Sequence, residues 1–92
     1  MTQSEFLTES KQLLVSIKKS RKWLLKHNKS KLPLSSSQTE LKNLEYAIST
    51  ISDANRMRDY IQRKKEVLFI LSNSKYKKQH AQLEKLIECQ FD

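Results

Sequence analysis

The chain contains no glycine, and its only proline is Pro33. Phosphate-cradling loops, type I′ hairpin turns and nucleophile elbows need positive φ or close backbone approach, which glycine supplies and other residues resist. A chain of 92 residues without glycine is therefore excluded from most small catalytic folds, and its length suits one domain. The single cysteine, Cys89, can form no internal disulfide. The core alone must hold the fold, and a reducing compartment, the cytoplasm, is expected. The longest apolar run, Val67 to Leu71, is far short of the roughly twenty residues of a membrane span. Met1-Thr2-Gln3-Ser4-Glu5 does not read as a signal peptide, so no transmembrane segment is expected.

Helical punctuation is clear. Thr2-Gln3-Ser4-Glu5 has the form of a capping box, with Met1 and Phe6 placed as a hydrophobic staple. Phe6, Leu13, Ile17 and Leu24 recur at helical spacing, with Leu7, Leu14 and Leu25 widening the stripe, which predicts a first helix over about 4–27. Segment 28–36 loses the period, is serine-rich and holds Pro33. It reads as a loop, with Leu32 kept out of the α region by the proline. Ser37-Gln38-Thr39-Glu40 is a second capping box, and Leu41, Leu44, Ile48 and Ile51 follow on one face, predicting a helix over about 38–51. Ala54, Met57, Ile61, Leu68 and Leu71 continue the apolar series, but more than a quarter-turn out of phase at roughly 100° per residue.

The phase jump falls at Ser52-Asp53-Ala54-Asn55, whose small polar side chains compete for backbone hydrogen bonds. A break there predicts a third helix over about 53–71. Ser72-Asn73-Ser74 offers a C-cap and a new N-cap, and Tyr76, His80, Leu83, Ile87 and Phe91 mark a fourth helix over about 75–90. The expected fold is an all-α, small antiparallel four-helix bundle spanning 1–92, with sequence neighbours side by side. The alternative has three helices, the central one ~50 Å long and overhanging its neighbours. A homodimer would then supply burial that a domain of this size otherwise lacks.

Charge is unevenly placed. Residues 10–39 carry Lys11, Lys18, Lys19, Arg21, Lys22, Lys26, Lys29 and Lys31 with no acid, as many positive charges as the whole net charge of +8. On the first helix Lys19, Lys22 and Lys26 project opposite the Phe6/Ile17/Leu24 stripe, with Trp23 among them. Two readings follow. Trp23 seals the edge of a wide apolar face under solvated lysines, or it anchors a contact face for an anionic partner. On the second reading the partner-binding residues are Lys19, Lys22, Trp23, Lys26, Lys29 and Lys31. Another basic group, Arg56, Arg58, Arg63, Lys64 and Lys65, has Asp59 and Glu66 close by. Local pairing on a solvated helix face is expected there, with a secondary basic patch as the functional reading. Lys75, Lys77 and Lys78 crowd a helix start, where a bound anion would compensate them. Tyr60 and Tyr76 read as core-edge tyrosines with their hydroxyls in water.

The residues form no catalytic constellation. His27 and His80 lie on opposite halves of the chain, Cys89 has no Cys or His at metal spacing, and no carboxylate pair can be assigned to a pocket. No catalytic, cofactor or metal site is assigned. His27 reads as complementing a helix dipole, His80 as a partly buried histidine with a polar partner, and Cys89 as a small buried hydrophobe.

Binding is the function that this leaves. The expectation is a non-enzymatic inhibitor, adaptor or small chaperone whose basic face, with an aromatic anchor, takes an acidic surface of a larger protein. The alternative is a nucleic-acid-binding bundle using Lys18 to Lys31 with Arg56 to Lys65. Its charge would give low-salt affinity for any duplex, although Arg21 is the one arginine of the first group and aromatics for base stacking are few. A membrane-surface role competes with the core for the apolar side of the first helix. In size and bundle type the chain resembles small bacterial and phage proteins that act by binding, among them bacteriocin immunity proteins, secretion co-chaperones and inhibitors of host enzymes. That resemblance implies a cytosolic, immunity-like protein as a further alternative.

Overall fold

The structure, a computed structural model, describes residues 1–26, 33–72 and 77–91, the side chain of Leu34 excepted. These residues form five helical segments: α1 (Gln3–Lys26), α2 (Leu34–Thr50), α3 (Ala54–Arg63), α4 (Lys65–Ser72) and α5 (Lys77–Glu88). The fold is all-α. His27, the loop residues 28–32, the Asn73-Ser74 caps, Lys75 and Tyr76 lie outside the described residues.

The cap expected for the first helix is present. The Glu5 backbone N–H donates to Thr2 Oγ1 at 3.1 Å, and the Thr2 hydroxyl donates to Glu5 Oε1 at 3.0 Å. Phe6 is fully buried and Met1 packs against the same core, as a staple requires. The break after α2 falls where the phase jump placed it. Asp53 is an extended N-cap whose carboxylate accepts from the Arg56 N–H at 3.0 Å, and Ile51 closes α2 by donating to the Ala47 carbonyl. A single continuous central helix is thereby ruled out.

Three expectations need correction. α2 starts at Leu34 and not near residue 38, because Pro33 serves as its N-cap and its φ is already set for helix entry. The Ser37 N–H is bonded to the Pro33 carbonyl at 3.0 Å. Ser37 is therefore a buried residue inside the helix and caps nothing. The expected third helix is divided at Lys64, with ψ of 11°. The backbone bonds Lys64 N–H to Tyr60 O and Leu68 N–H to Lys64 O, at 3.0 and 2.8 Å, carry the chain through the bend. α3 and α4 are thus one kinked arm. Finally, α2 packs broadly on α1, and its contact with α3, its neighbour in sequence, is slight at most.

α1 is the spine of the molecule, about 36 Å long at 1.5 Å per residue, and touches all four other segments. Lys18 and Arg21 meet Glu45 and Ser37 of α2, and Ser16 meets Gln79 of α5. With Met1 and Phe6 meeting Cys89 and Phe91 just beyond α5, both pairs are antiparallel. The α3–α4 arm also runs antiparallel to α5, since Arg58 reaches the Cys89 carbonyl while Phe69 stacks on His80. Phe6, Leu13, Leu14 and Ile17 of α1 close the core with Leu44, Met57, Ile61, Leu68, Leu71 and Leu83. On α5 the buried stripe is Gln79, Leu83 and Leu86. It is rotated from the expected one, leaving Ile87 half-buried, while His80 is half-buried as expected.

Candidate interaction face

The C-terminal half of α1 divides its cations by helical face. Arg21 lies on the core side and is 1% exposed. Its guanidinium donates to Ser37 Oγ of α2, and burial lowers its pKa from the usual guanidinium value. The one arginine of the first basic group is thus structural. Lys19, Lys22 and Lys26 are all exposed. Trp23 stands beside them with 41% of its surface open to solvent. An indole this exposed presents apolar surface to water. Lys29 and Lys31 lie outside the described residues.

The basic face continues onto α2. Lys18 Nζ and Glu45 Oε1 are 2.7 Å apart across the α1–α2 seam. The Lys18 hydrogen bond and charge hold the Glu45 carboxyl below its usual value, and the charges of Lys22 and Lys42 act in the same direction. Next to Glu45, Tyr46 is 70% exposed, more than any other large hydrophobic residue described. Sequence reasoning singled out none of Lys42, Glu45 and Tyr46. The signal was nevertheless present, because Tyr46 projects opposite the Leu41/Leu44/Ile48 stripe.

Four of the five residues of the second basic group meet partners within the molecule. Arg58 Nη1 donates to the Cys89 carbonyl at 2.9 Å and Nη2 to Asn55 Oδ1 at 3.2 Å, while the guanidinium carbon sits 4.8 Å from the Phe91 ring centroid. Arg63 pairs with Asp59 at 3.1 Å and Lys64 with Glu40 at 3.4 Å. Lys65 Nζ lies 5.7 Å from the Phe69 ring centroid. Arg56 is exposed at the start of α3. Beside this group the Tyr60 hydroxyl is buried without a hydrogen-bond partner. Burial, and then the Glu40 charge, push its pKa up to about 12.

Elsewhere, His80 Nε2 lies 3.0 Å from the Phe69 carbonyl, and Cys89 Sγ lies 3.7 Å from Met1 Sδ. An open groove of about 440 Å³ between α1 and α5 is lined by Glu9, Gln12, Leu13, Ser16, Gln82, Lys85 and Leu86. Among the described residues no group of three or more His, Cys, Asp or Glu side chains is placed to hold a metal. Nor is any helix among them long and apolar enough to cross a membrane.

Fold and surface together define a small basic all-α protein with a lysine-rich, aromatic-bearing face. Neither the models of known families, nor curated proteins, nor solved structures give a match to this chain.

Proposed function

We propose that this is a non-enzymatic cytoplasmic binding protein, an inhibitor, adaptor or small chaperone, that docks an acidic protein surface on the exposed face of α1. The observation that carries the reading is Trp23, 41% exposed and flanked by the exposed Lys19, Lys22 and Lys26. Lysines attract an acidic surface at long range, and a tryptophan covered on contact supplies the local free energy. A protein partner is favoured over nucleic acid by the fate of the arginines. Arg21 is turned inward and Arg58 holds the Cys89 carbonyl, while the exposed Arg56 and Arg63 lie on α3, off this face. The face is left with point-charge lysines in place of the forked donors that read guanine or clamp phosphate.

Trp23 is the only tryptophan, so its emission reports one site. A Glu-rich peptide carrying a leucine at every fourth position should shift and quench that emission at low salt, and a short DNA duplex should do so less. With the same peptide labelled by fluorescein, Trp23→Ala should weaken binding by about thirtyfold, the ~2 kcal/mol of a hot spot. Unchanged affinity in Trp23→Ala would sink the reading. Tighter binding of DNA, with a log–log salt slope of about −0.9 per phosphate contacted, would replace it by the nucleic-acid one.

A further inference from the structure

We propose that the acid-binding face crosses the seam between α1 and α2, with Tyr46 as a second aromatic anchor and Glu45 as an internal carboxylate holding the place of a partner's own. This rests on the reading of the α1 face given above and specifies how that face recognises its partner.

Three observations converge. The first is an ion pair between helices at a solvent-facing position. Glu45 takes Lys18 at 2.7 Å, yet half of its side chain remains exposed. An exposed pair is weak enough to be exchanged for another carboxylate at little cost. The second is that the site is over-supplied with cations. Lys22, one turn beyond Lys18, and Lys42, one turn before Tyr46, are both exposed and both act on Glu45. One carboxylate is thus paired with Lys18 and set against the charges of two further lysines, an excess of cations that admits a further carboxylate. The third is the placement of the aromatics. Trp23 projects about 100° round α1 from Lys22, on the border away from α2. Tyr46 projects from the outer side of α2, opposite the buried Leu44. The lysines therefore lie between two exposed rings.

Packed helices stand about 8–10 Å apart, so one extended or helical segment laid over the seam can reach both helices. The occupant that fits is an acidic peptide segment with apolar side chains between its carboxylates. Its acids meet Lys18, Lys22 and Lys42 while its apolar groups cover Tyr46 and Trp23. A duplex fits less well, because Glu45 would face its phosphates.

The test uses the full chain and the fluorescein-labelled Glu-rich, leucine-bearing peptide, with binding read by anisotropy across a salt series. Glu45→Gln frees Lys18 and removes a like charge, and should tighten binding about threefold, the scale of one exposed pair. Tyr46→Ala should weaken it about tenfold. Both side chains are exposed, so thermal melts followed by circular dichroism should match the parent and exclude misfolding. Loss of binding in Trp23→Ala, with Tyr46→Ala and Glu45→Gln unchanged, would overturn this extension and leave the α1 face standing. No effect of Trp23→Ala, or no binding of the peptide at low salt, would overturn both. Tighter binding of duplex DNA than of the peptide would also overturn both in favour of nucleic acid.

Discussion

Two stretches of this chain carry comparable clusters of cations, and the fold treats them in opposite ways. Around α3, Arg58, Arg63, Lys64 and Lys65 are spent on a backbone carbonyl, two carboxylates and two aromatic rings of the same molecule. Along the second half of α1, Lys19, Lys22 and Lys26 face solvent beside a half-open indole. The first cluster acts within the molecule and the second is presented outward. The inward-acting cluster holds two arginines and two lysines, whereas the outward one holds lysines alone. A planar fork can satisfy several acceptors at once, whereas a hydrated ammonium loses more by being tied down.

Arg21 is the sharpest exception, since it sits in the outward cluster by sequence and in the core by structure. Arg21→Ala should cost about 2–4 kcal/mol, as for other large core side chains cut to alanine. Its neighbour in the Lys22→Ala protein should be close to neutral, within ~0.5 kcal/mol. Urea midpoints at unchanged m-value would read both; equal effects would break the division of faces.

Arg58→Ala comes next. It removes the bond to the Cys89 carbonyl and the contact with Phe91, whose ring in turn meets Phe6 edge-on at 4.9 Å. A loss of about 1–2 kcal/mol is expected. Affinity for the acidic peptide should not change. Weaker peptide binding by a stably folded Arg58→Ala protein would show that the second cluster also serves a partner.

Tyr60→Phe should be a gain. The buried hydroxyl has no hydrogen-bond partner, so removing it relieves a desolvation cost on the order of 1 kcal/mol. The pH dependence has a definite sign. The phenol ionises near 10 when unfolded and at about 12 in the fold. The difference therefore leaves stability untouched below pH 10 and erodes it as pH rises towards 12. Alkaline melts should show the parent losing more stability than Tyr60→Phe over that interval.

The smallest effect is expected from the outward lysines. A combined Lys19→Gln, Lys22→Gln and Lys26→Gln protein should keep its stability to within ~0.5 kcal/mol, while peptide binding becomes weaker and less salt-dependent. A large fall in stability would mean that these lysines serve the fold after all.

Much of the architecture was legible in the sequence because its causes are local. The Thr2–Glu5 cap and the Asp53 cap depend on residues three apart. The break before α3 shows as a phase jump between Ile51 and Ala54. The bend at Lys64 did not show, because Ile61 and Leu68 share a face on either side of it and the stripe runs through unbroken. At the start of α2 two signals competed. Pro33 won over Ser37, whose hydroxyl meets Arg21 from sixteen residues away instead of capping the helix. The α1 projection placed Lys19, Lys22 and Lys26 outward but left Trp23 between the core edge and a contact face, and its 41% exposure came from the packing. Tyr46 and Lys42 were readable as outward-facing on their own helix, but the Lys18–Glu45 pair that joins that helix to α1 was not.

By itself the sequence determined that this chain is helical, where its first and third helices begin, and that positive charge gathers along one stretch. Such properties follow from hydrogen bonds and side-chain neighbours within one or two turns. The tertiary structure decided which cations are presented and which are consumed. That choice depends on what packs across each helix from distant positions: Ser37 against Arg21, Cys89 against Arg58, Glu45 against Lys18. A residue's charge is written in its identity, whereas its availability depends on desolvation and partners that only packing supplies.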